Sequence, residues 1–263
     1  MSLQAVIFDV DGTLADTERD GHRVAFNAAF REAGLDWDWD VPRYGELLAV
    51  TGGKERMQAY VQKHRPDWRG RPDLDAVIAG LHKAKTRHYV ALMERGGIPP
   101  RPGVVRLLQE LRAAGMRLAI ATTTSPENVE VLLRTTLMAV PRDTFEVIGA
   151  GDIVPAKKPA PDIYRWVLQR LDLPATAGVA IEDSRNGVLA ARGAGLPVVV
   201  TPSTYTQGED FTGALAVVSE LGEPDRPFAL LHGADHGRRW VDAELLSSWV
   251  GEAAVPAARA RAR

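Results

Sequence analysis

An apolar run, Ala5-Val6-Ile7-Phe8, breaks into two carboxylates, Asp9 and Asp11, and Gly12 then frees the backbone to turn away. An unbroken apolar tetrad reads as a short strand buried on both faces, as in a parallel sheet. Residues i and i+2 on a strand point to one side. Asp9 and Asp11 are therefore expected to face one centre at the strand's carboxyl end, where open α/β sheets bind ligands. A bare Asp-x-Asp reads more simply as a solvated turn, because short motifs arise by chance. Three further polar pieces downstream, in order, argue against that here.

Residues 17 to 98 carry helical signals only. His22, Phe26, Ala29, Phe30 and Ala33 share one helical face. Pro42 opens a second helix, Thr51-Gly52-Gly53 breaks it, and Lys54-Glu55-Arg56 opens a third with Met57, Tyr60 and Val61 as its buried stripe. A long helix is expected from Leu74 to Glu94, its stripe running Leu74, Ile78, Leu81, Lys85, His88, Leu92. Strands then alternate with helices: Arg117–Ala121, Phe145–Ile148, Gly178–Ile181, Val198–Val200 and, last, Ala216–Val218. That alternation predicts an α/β fold with a parallel sheet covered on both faces. The expected division is a core of residues 1–16 and 99–222, a helical insert of 17–98 and an extension of 223–263. In the extension, Trp240 to Val250 is expected to be helical, and the closing Ala-Ala-Arg-Ala-Arg-Ala-Arg to be a solvated tail.

Composition narrows the function classes. The 263 residues are 45% hydrophobic and 25% charged with a net charge of -2, which gives no reason to expect nucleic acid or a membrane surface as partner. The absence of cysteine excludes disulfides, thiolate nucleophiles and Cys-ligated zinc. No apolar run approaches ~20 residues, and the N-terminus enters the first strand almost at once. A cytoplasmic enzyme, monomeric by default, is expected, with the plastid stroma as the place in a plant or alga.

The downstream pieces each end a strand or open a helix. Thr122 follows Ile120-Ala121, where its hydroxyl and nearby N–H groups can hold phosphoryl oxygens; a polar strand terminus is the competing reading. Lys158 is held extended by Pro159 just ahead of a helix. A cation fixed there can offset a nucleophilic carboxylate and a phosphoryl group, whereas Lys157 reads as a surface lysine. Glu182-Asp183 ends a hydrophobic strand and completes an oxygen-ligand set suited to a hard cation such as Mg²⁺.

Asp9-Val10-Asp11-Gly12-Thr13, Thr122, Lys158 and Glu182-Asp183 resemble, in order, the four motifs of the haloacid-dehalogenase-like (HAD) phosphatases. The resemblance implies a Rossmann-like core with an inserted α-helical cap domain, as in β-phosphoglucomutases and phosphoglycolate phosphatases. Thr51-Gly52-Gly53-Lys54-Glu55-Arg56, His82-Lys83-Ala84-Lys85-Thr86, Ala121-Thr122-Thr123-Thr124-Ser125 and Lys157-Lys158-Pro159-Ala160-Pro161-Asp162-Ile163-Tyr164 resemble the CbbY-type branch. That branch is associated with dephosphorylating xylulose-1,5-bisphosphate, an inhibitor of Rubisco in the Calvin cycle, to xylulose 5-phosphate. The resemblance implies Asp9 as nucleophile, Asp11 as acid and base, and Thr122 and Lys158 as holders of the transferred group. Mg²⁺ would then sit on Asp9, the main-chain carbonyl of Asp11 and Asp183, with Glu182 direct or through water. Arg19-Asp20-Gly21-His22 carries one residue more before its histidine than some relatives, which leaves the role of His22 open.

In the cap, Gly52 and Gly53 allow close approach to a ligand at a helix N-terminus, which favours an anion, and Lys54 and Arg56 add charge beside Glu55. Lys85 stands where an apolar residue is expected, with His82 one turn before it; a snorkelling lysine is the bland account. Together with Glu18 at the hinge and Thr123, Thr124 and Ser125, these residues suggest a second anion site for a sugar phosphorylated at both ends. A phosphosugar mutase of the β-phosphoglucomutase kind, a phosphoglycolate phosphatase and a non-catalytic HAD-fold binding protein stay as alternatives. A dehalogenase would need neither the second aspartate nor the acidic pair.

Overall fold

The computed structural model describes residues 3–254. The alternating Ala-Arg tail at 257–263 lies outside the described residues. The strands are β1 (Ala5–Phe8), β2 (Arg117–Ala121), β3 (Val147–Gly149), β4 (Gly178–Glu182), β5 (Val198–Val200), β6 (Ala216–Val218) and β7 (Leu230–His232). They form one sheet in the order β3-β2-β1-β4-β5-β6-β7. Neighbours from β3 to β6 run parallel, whereas β7 lies antiparallel to β6. This corrects the expectation that the strands end at Val218. Ser219 N–H donates to Ala229 O (2.9 Å), closing a return loop short enough for antiparallel pairing. Exposed throughout, the three residues of β7 offer no inside–outside alternation to read.

Side chains of β1 alternate between two layers, as the strand period requires. Val6 and Phe8 face α5 (Val104–Ala113), α6 (Pro126–Thr135) and α9 (Ala243–Ala254). Ala5 and Ile7 face α7 (Asp162–Leu171) and α8 (Arg185–Gly193). Two elements start two or more residues later than expected. The third strand starts only at Val147; Phe145 instead packs edge-on against Phe8 at 6.2 Å. The last helix starts at Ala243 because Asp242 caps it: Leu245 N–H donates to Asp242 Oδ1 at 2.7 Å. Through Leu245, Leu246, Trp249 and Val250 this helix enters the same core as Val104, Leu107 and Leu111.

The insert holds α1 (Arg23–Glu32), α2 (Val41–Leu47), α3 (Gly53–His64) and α4 (Leu74–Gly96) around its own cluster of Phe26, Phe30, Trp37, Trp39, Tyr44, Met57 and Tyr60. Asp40 caps α2 by accepting from Arg43 N–H (2.7 Å). The stripe expected on α4 holds as far as Lys85 and then shifts. Tyr89 and Met93 are buried, whereas His88 pairs with Glu32 at the surface (2.6 Å). The cause is a change of partner along the helix: Ile78 and Leu81 belong to the insert's cluster, Tyr89 and Met93 to the main core. Among the described residues, no helix is long and apolar enough to cross a membrane.

Trp249→Ala is expected to lower the unfolding free energy by about 3 kcal/mol, because it empties a buried site and removes the bond from Trp249 Nε1 to Ala234 O (2.6 Å). Urea denaturation of the purified variant checks this.

Candidate active site

In the parallel register Phe8 lies opposite both Ile120 and Ile181. The residues that follow, Asp9, Ala121-Thr122 and Glu182-Asp183, therefore come off the sheet at one level. They do so beside β1 and β4, where the strand order reverses and a crevice opens.

Lys158 joins these strand ends. Its ammonium donates to Asp9 Oδ1 (2.6 Å), Glu182 Oε1 (2.6 Å) and Ala121 O (2.9 Å), and only 4% of its side chain is exposed. The Tyr164 hydroxyl donates to the same Glu182 oxygen (2.5 Å). Burial works against the lysine's charge, but Asp9 and Glu182 outweigh it and raise its pKa. Oxygens of Asp9, Glu182 and Asp183 lie within 4.8 Å of one another. Burial first, then the charges of Glu182 and Asp183, push the Asp9 carboxyl up against the pull of Lys158. Burial and Glu182 push Asp183 up to about 8. One ammonium among three buried carboxylates leaves negative charge uncompensated, and an all-oxygen donor set is what Mg²⁺ takes. The residues present fit that ion.

β1 ends at Phe8, so the pleat does not align the aspartates; Asp11 turns to the hinge instead. Thr17 Oγ1 donates to Asp11 Oδ1 (2.5 Å), and His22 Nε2 lies 2.8 Å from the same oxygen. Lys85 Nζ sits 2.8 Å from His22 Nδ1. An ammonium can only donate, so Nδ1 accepts and Nε2 carries the hydrogen that goes to Asp11. Burial would raise the Asp11 pKa, but His22 and Thr17 outweigh it and hold it at about 2. Buried between the Phe26 and Tyr89 rings, Lys85 is pulled down to about 8, with Asp11 and Glu18 opposing. His22 reaches Asp11 because Glu18–His22 form one π-helical turn, closed by Arg23 N–H to Glu18 O. Such a turn absorbs one extra residue, which accounts for the added position read before His22.

Across the crevice, Arg56 is buried, with Nη1 donating to the Tyr44 hydroxyl (2.8 Å) and lying 3.8 Å from Glu18. Tyr44 in turn donates to Glu18 Oε2 (2.5 Å). Lys54 reaches over to Asp152 of the core (2.6 Å), and Asn186 Nδ2 donates to Thr51 Oγ1 (3.0 Å). His82 rests against Gly53, where a Cβ would come within 2.8 Å of its ring; burial, then Lys85 and Lys54, pulls its pKa down to about 4.

The haloacid dehalogenase-like hydrolase family model matches residues 3–195. The chain belongs to the haloacid dehalogenase-like hydrolases. It is 49% identical over 248 residues to protein CbbY of Cupriavidus necator, covering 94% of this chain and 96% of that one. To protein CbbY of Rhodobacter capsulatus it is 53% identical over 214 residues, 81% of this chain and 92% of that one. The crystal structure of CbbY from Rhodobacter sphaeroides in complex with phosphate superposes with a TM-score of 0.77 at 49% identity, covering 83% of this chain and 94% of that one. A mutant of that protein in complex with xylulose-(1,5)bisphosphate matches equally well. This hydrolase is a phosphatase of the CbbY type.

Most site residues read from the sequence line two adjoining compartments of this hydrolase. The first is walled by Asp9, Asp11, Glu18, Arg56, Thr122, Thr123, Lys158 and Asp183. The second adds Gly52, Gly53, His82, Lys85, Thr124 and Ser125 to residues it shares with the first. Lys54, Glu55 and Glu182 line neither: Lys54 is paired with Asp152, the Glu55 carboxylate folds against Gly52, and Glu182 is wholly buried behind Lys158. Lys157 is not a solvated lysine. It is tied to Gly151 O and to Asp152, at 2.6 Å in the latter case, because the cap-facing loop folds back on itself.

Sequence reasoning missed several lining residues, including Asn128, Asn186, Ser203 and Thr206. Asn128 carried a readable signal, since it stands one turn into the helix that Ser125 opens; its Oδ1 and the Ser125 hydroxyl are buried without a partner and remain available to a ligand. Asn186 and Thr206 carried none, because each depends on how a distant loop folds over the crevice.

Lys85 loses its charge above about pH 8, so kcat/KM for a phosphate ester is expected to fall through that pH. The limb should be absent in Lys85→Gln, whose kcat/KM is already low at neutral pH. Rate profiles from pH 6 to 10 check this.

Proposed function

We propose that the chain is a Mg²⁺-dependent sugar-bisphosphate phosphatase that converts xylulose-1,5-bisphosphate to xylulose 5-phosphate. The observation that carries this reading is the paired compartments. One is walled by Asp9, Asp11 and Asp183 with Lys158; the other is lined by Arg56, Lys85, Ser125 and Asn128 and suits a second, unreacting phosphate. The 49% identity to a CbbY solved with xylulose-(1,5)bisphosphate supports it.

In the proposed reaction an Asp9 carboxylate oxygen bonds to phosphorus while the bond to the sugar oxygen breaks. Lys158 holds Asp9 in place and offsets charge on the phosphoryl oxygens, with Thr122 as a further donor. Asp11 gives its proton to the departing sugar oxygen, then takes one from the water that splits the aspartyl-phosphate, returning Asp9 and releasing phosphate. An incoming phosphoryl dianion repels the Asp11 charge and raises its pKa from the low free value, while Thr17 and His22 keep the carboxyl aimed. Asp9, the Asp11 carbonyl and Asp183 would hold Mg²⁺, which supplies charge neutralisation at the transferred group. Glu182, engaged by Lys158 and Tyr164, would act on the ion through water. Residues 17–98 would serve as a cap closing on the core of 1–16 and 99–222, with Glu18 reading sugar hydroxyls, and Lys54 with Glu55 setting the closed position.

Phosphate release with Mg²⁺ from xylulose-1,5-bisphosphate, ribulose-1,5-bisphosphate, β-glucose-1,6-bisphosphate, phosphoglycolate and glucose 6-phosphate tests the proposal. The expected preference is for xylulose-1,5-bisphosphate, with Asp9→Asn losing more than about 10³-fold in kcat. A preference for phosphoglycolate or a monophosphate would refute the substrate, and isomerisation of a monophosphate without phosphate release would mark a mutase.

A further inference from the structure

Arg101 stands where the chain returns from the insert to the core. Pro100 bridges Ala15, and Arg101 N–H donates to Leu14 O (2.9 Å). Its side chain is only 9% exposed, and its nearest carboxylate, Asp16, is 3.8 Å away and half-exposed. The guanidinium is given over to oxygens of three separate segments. Nη1 donates to Gly12 O, Thr201 O (2.7 Å) and Thr201 Oγ1 (3.1 Å); Nη2 donates to Pro202 O (2.8 Å) and Ser219 O (3.3 Å). A rigid, planar fork of donors suits such a set, and a lysine would satisfy fewer of them.

The gripped segments flank Asp183. A Cβ on Gly12 would fall 2.2 Å from Asp183 Oδ2 and 3.1 Å from Ser203 Cβ, so the nucleophile loop lies hard against that carboxylate. On the other side, Thr201-Pro202 leads directly into Ser203 and Thr206. Ser203 N–H donates to Thr206 Oγ1 (2.8 Å), and Thr206 Oγ1 points to Asp183 Oδ2 at 3.5 Å. The peptide before Gly12 carries the Asp11 carbonyl. One side chain thus sets the gap between the loop that presents Asp9 and the Asp11 carbonyl and the loop that backs Asp183.

We infer that Arg101 is a positioning residue for the divalent-cation pocket, acting through the backbone of Gly12 and Thr201-Pro202 from the segment where the chain returns from residues 17–98. This rests on the Mg²⁺-dependent reading above. A comparison residue is at hand: Arg106 also grips backbone carbonyls, Gly222 O (2.8 Å) and Val241 O (2.9 Å), but none of its partners lines the crevice.

The test is Mn²⁺ binding to the metal-free full-length protein, read from the free-ion signal in electron paramagnetic resonance, with folding followed by circular dichroism. Arg101→Lys is expected to weaken Mn²⁺ binding at least tenfold. Arg106→Gln should lower the melting temperature and leave Mn²⁺ binding within twofold of wild type. Thr201→Val, which removes one contact and keeps the charge, should weaken binding two- to threefold; it decides the matter if Arg101→Lys does not fold. At saturating Mg²⁺, KM for the phosphate ester should be unchanged in Thr201→Val while the Mg²⁺ activation constant rises. Wild-type binding in a folded Arg101→Lys, or equal weakening in Arg106→Gln, overturns the inference. Failure of the metal reading looks different: wild type and Asp183→Asn would then bind Mn²⁺ alike, and the inference would fall with it.

Discussion

A single buried ammonium, Lys158, sits between Asp9 and Glu182 at 2.6 Å from each, and the active end of the sheet depends on it. Two carboxylates at the ends of neighbouring strands repel one another strongly in a poorly hydrated crevice. The lysine, delivered by a different crossover, offsets part of that charge and ties β1, β2 and β4 together through Asp9, Ala121 O and Glu182. Breaking a buried pair of this kind costs about 3–5 kcal/mol, because the surviving charge is left unpaired. The oxygens of Asp9, Glu182 and Asp183 together form a donor set that fits a divalent cation.

Asp11 belongs to a second, separate electrostatic unit. Thr17, His22 and Lys85 all come from the hinge or the insert, and they hold Asp11 as a carboxylate in the free protein. Asp9 is thus tied by a lysine from the sheet side of the chain, whereas the partners of Asp11 come from residues 17–98. Across the crevice the polar contacts are modest, whereas Tyr89 and Met93 of α4 pack into the main core. Lys54–Asp152 is partly exposed on both sides, and pairs of that sort contribute about 0–1 kcal/mol. Asn186 to Thr51 adds one neutral hydrogen bond.

Local signals account for what was legible in the chain. The apolar strands, the Gly52-Gly53 break and the helix opening at Pro42 each depend on a few neighbouring residues, and they agree with the local backbone. Asp9, Thr122 and Glu182-Asp183 were legible because each ends a strand, and parallel pairing brings strand ends to one edge whatever the details of the helices; Lys158 was legible from the proline and helix that follow it. Lys85 was legible as a charge in an apolar stripe. β7 was not, since three exposed residues have no pattern, and neither was the shift of the buried face along α4 to Tyr89 and Met93, which follows from a change of packing partner between Lys85 and Tyr89.

The amino-acid sequence alone thus determined the chemistry available: the carboxylates, the lysine and their order on alternating elements, all set by short-range pattern and the two-residue period of strands. Tertiary structure decided the pairings. Glu182 lies behind Lys158 rather than in the open crevice, Asp11 faces His22 rather than lying parallel to Asp9, Lys54 meets Asp152, and Arg101 grips Gly12 and Thr201. Those contacts join residues as far apart as 149 positions, in Lys158 and Asp9. No local pattern encodes such distances, because they arise only when the sheet register and the docking of the insert fix where each side chain can reach.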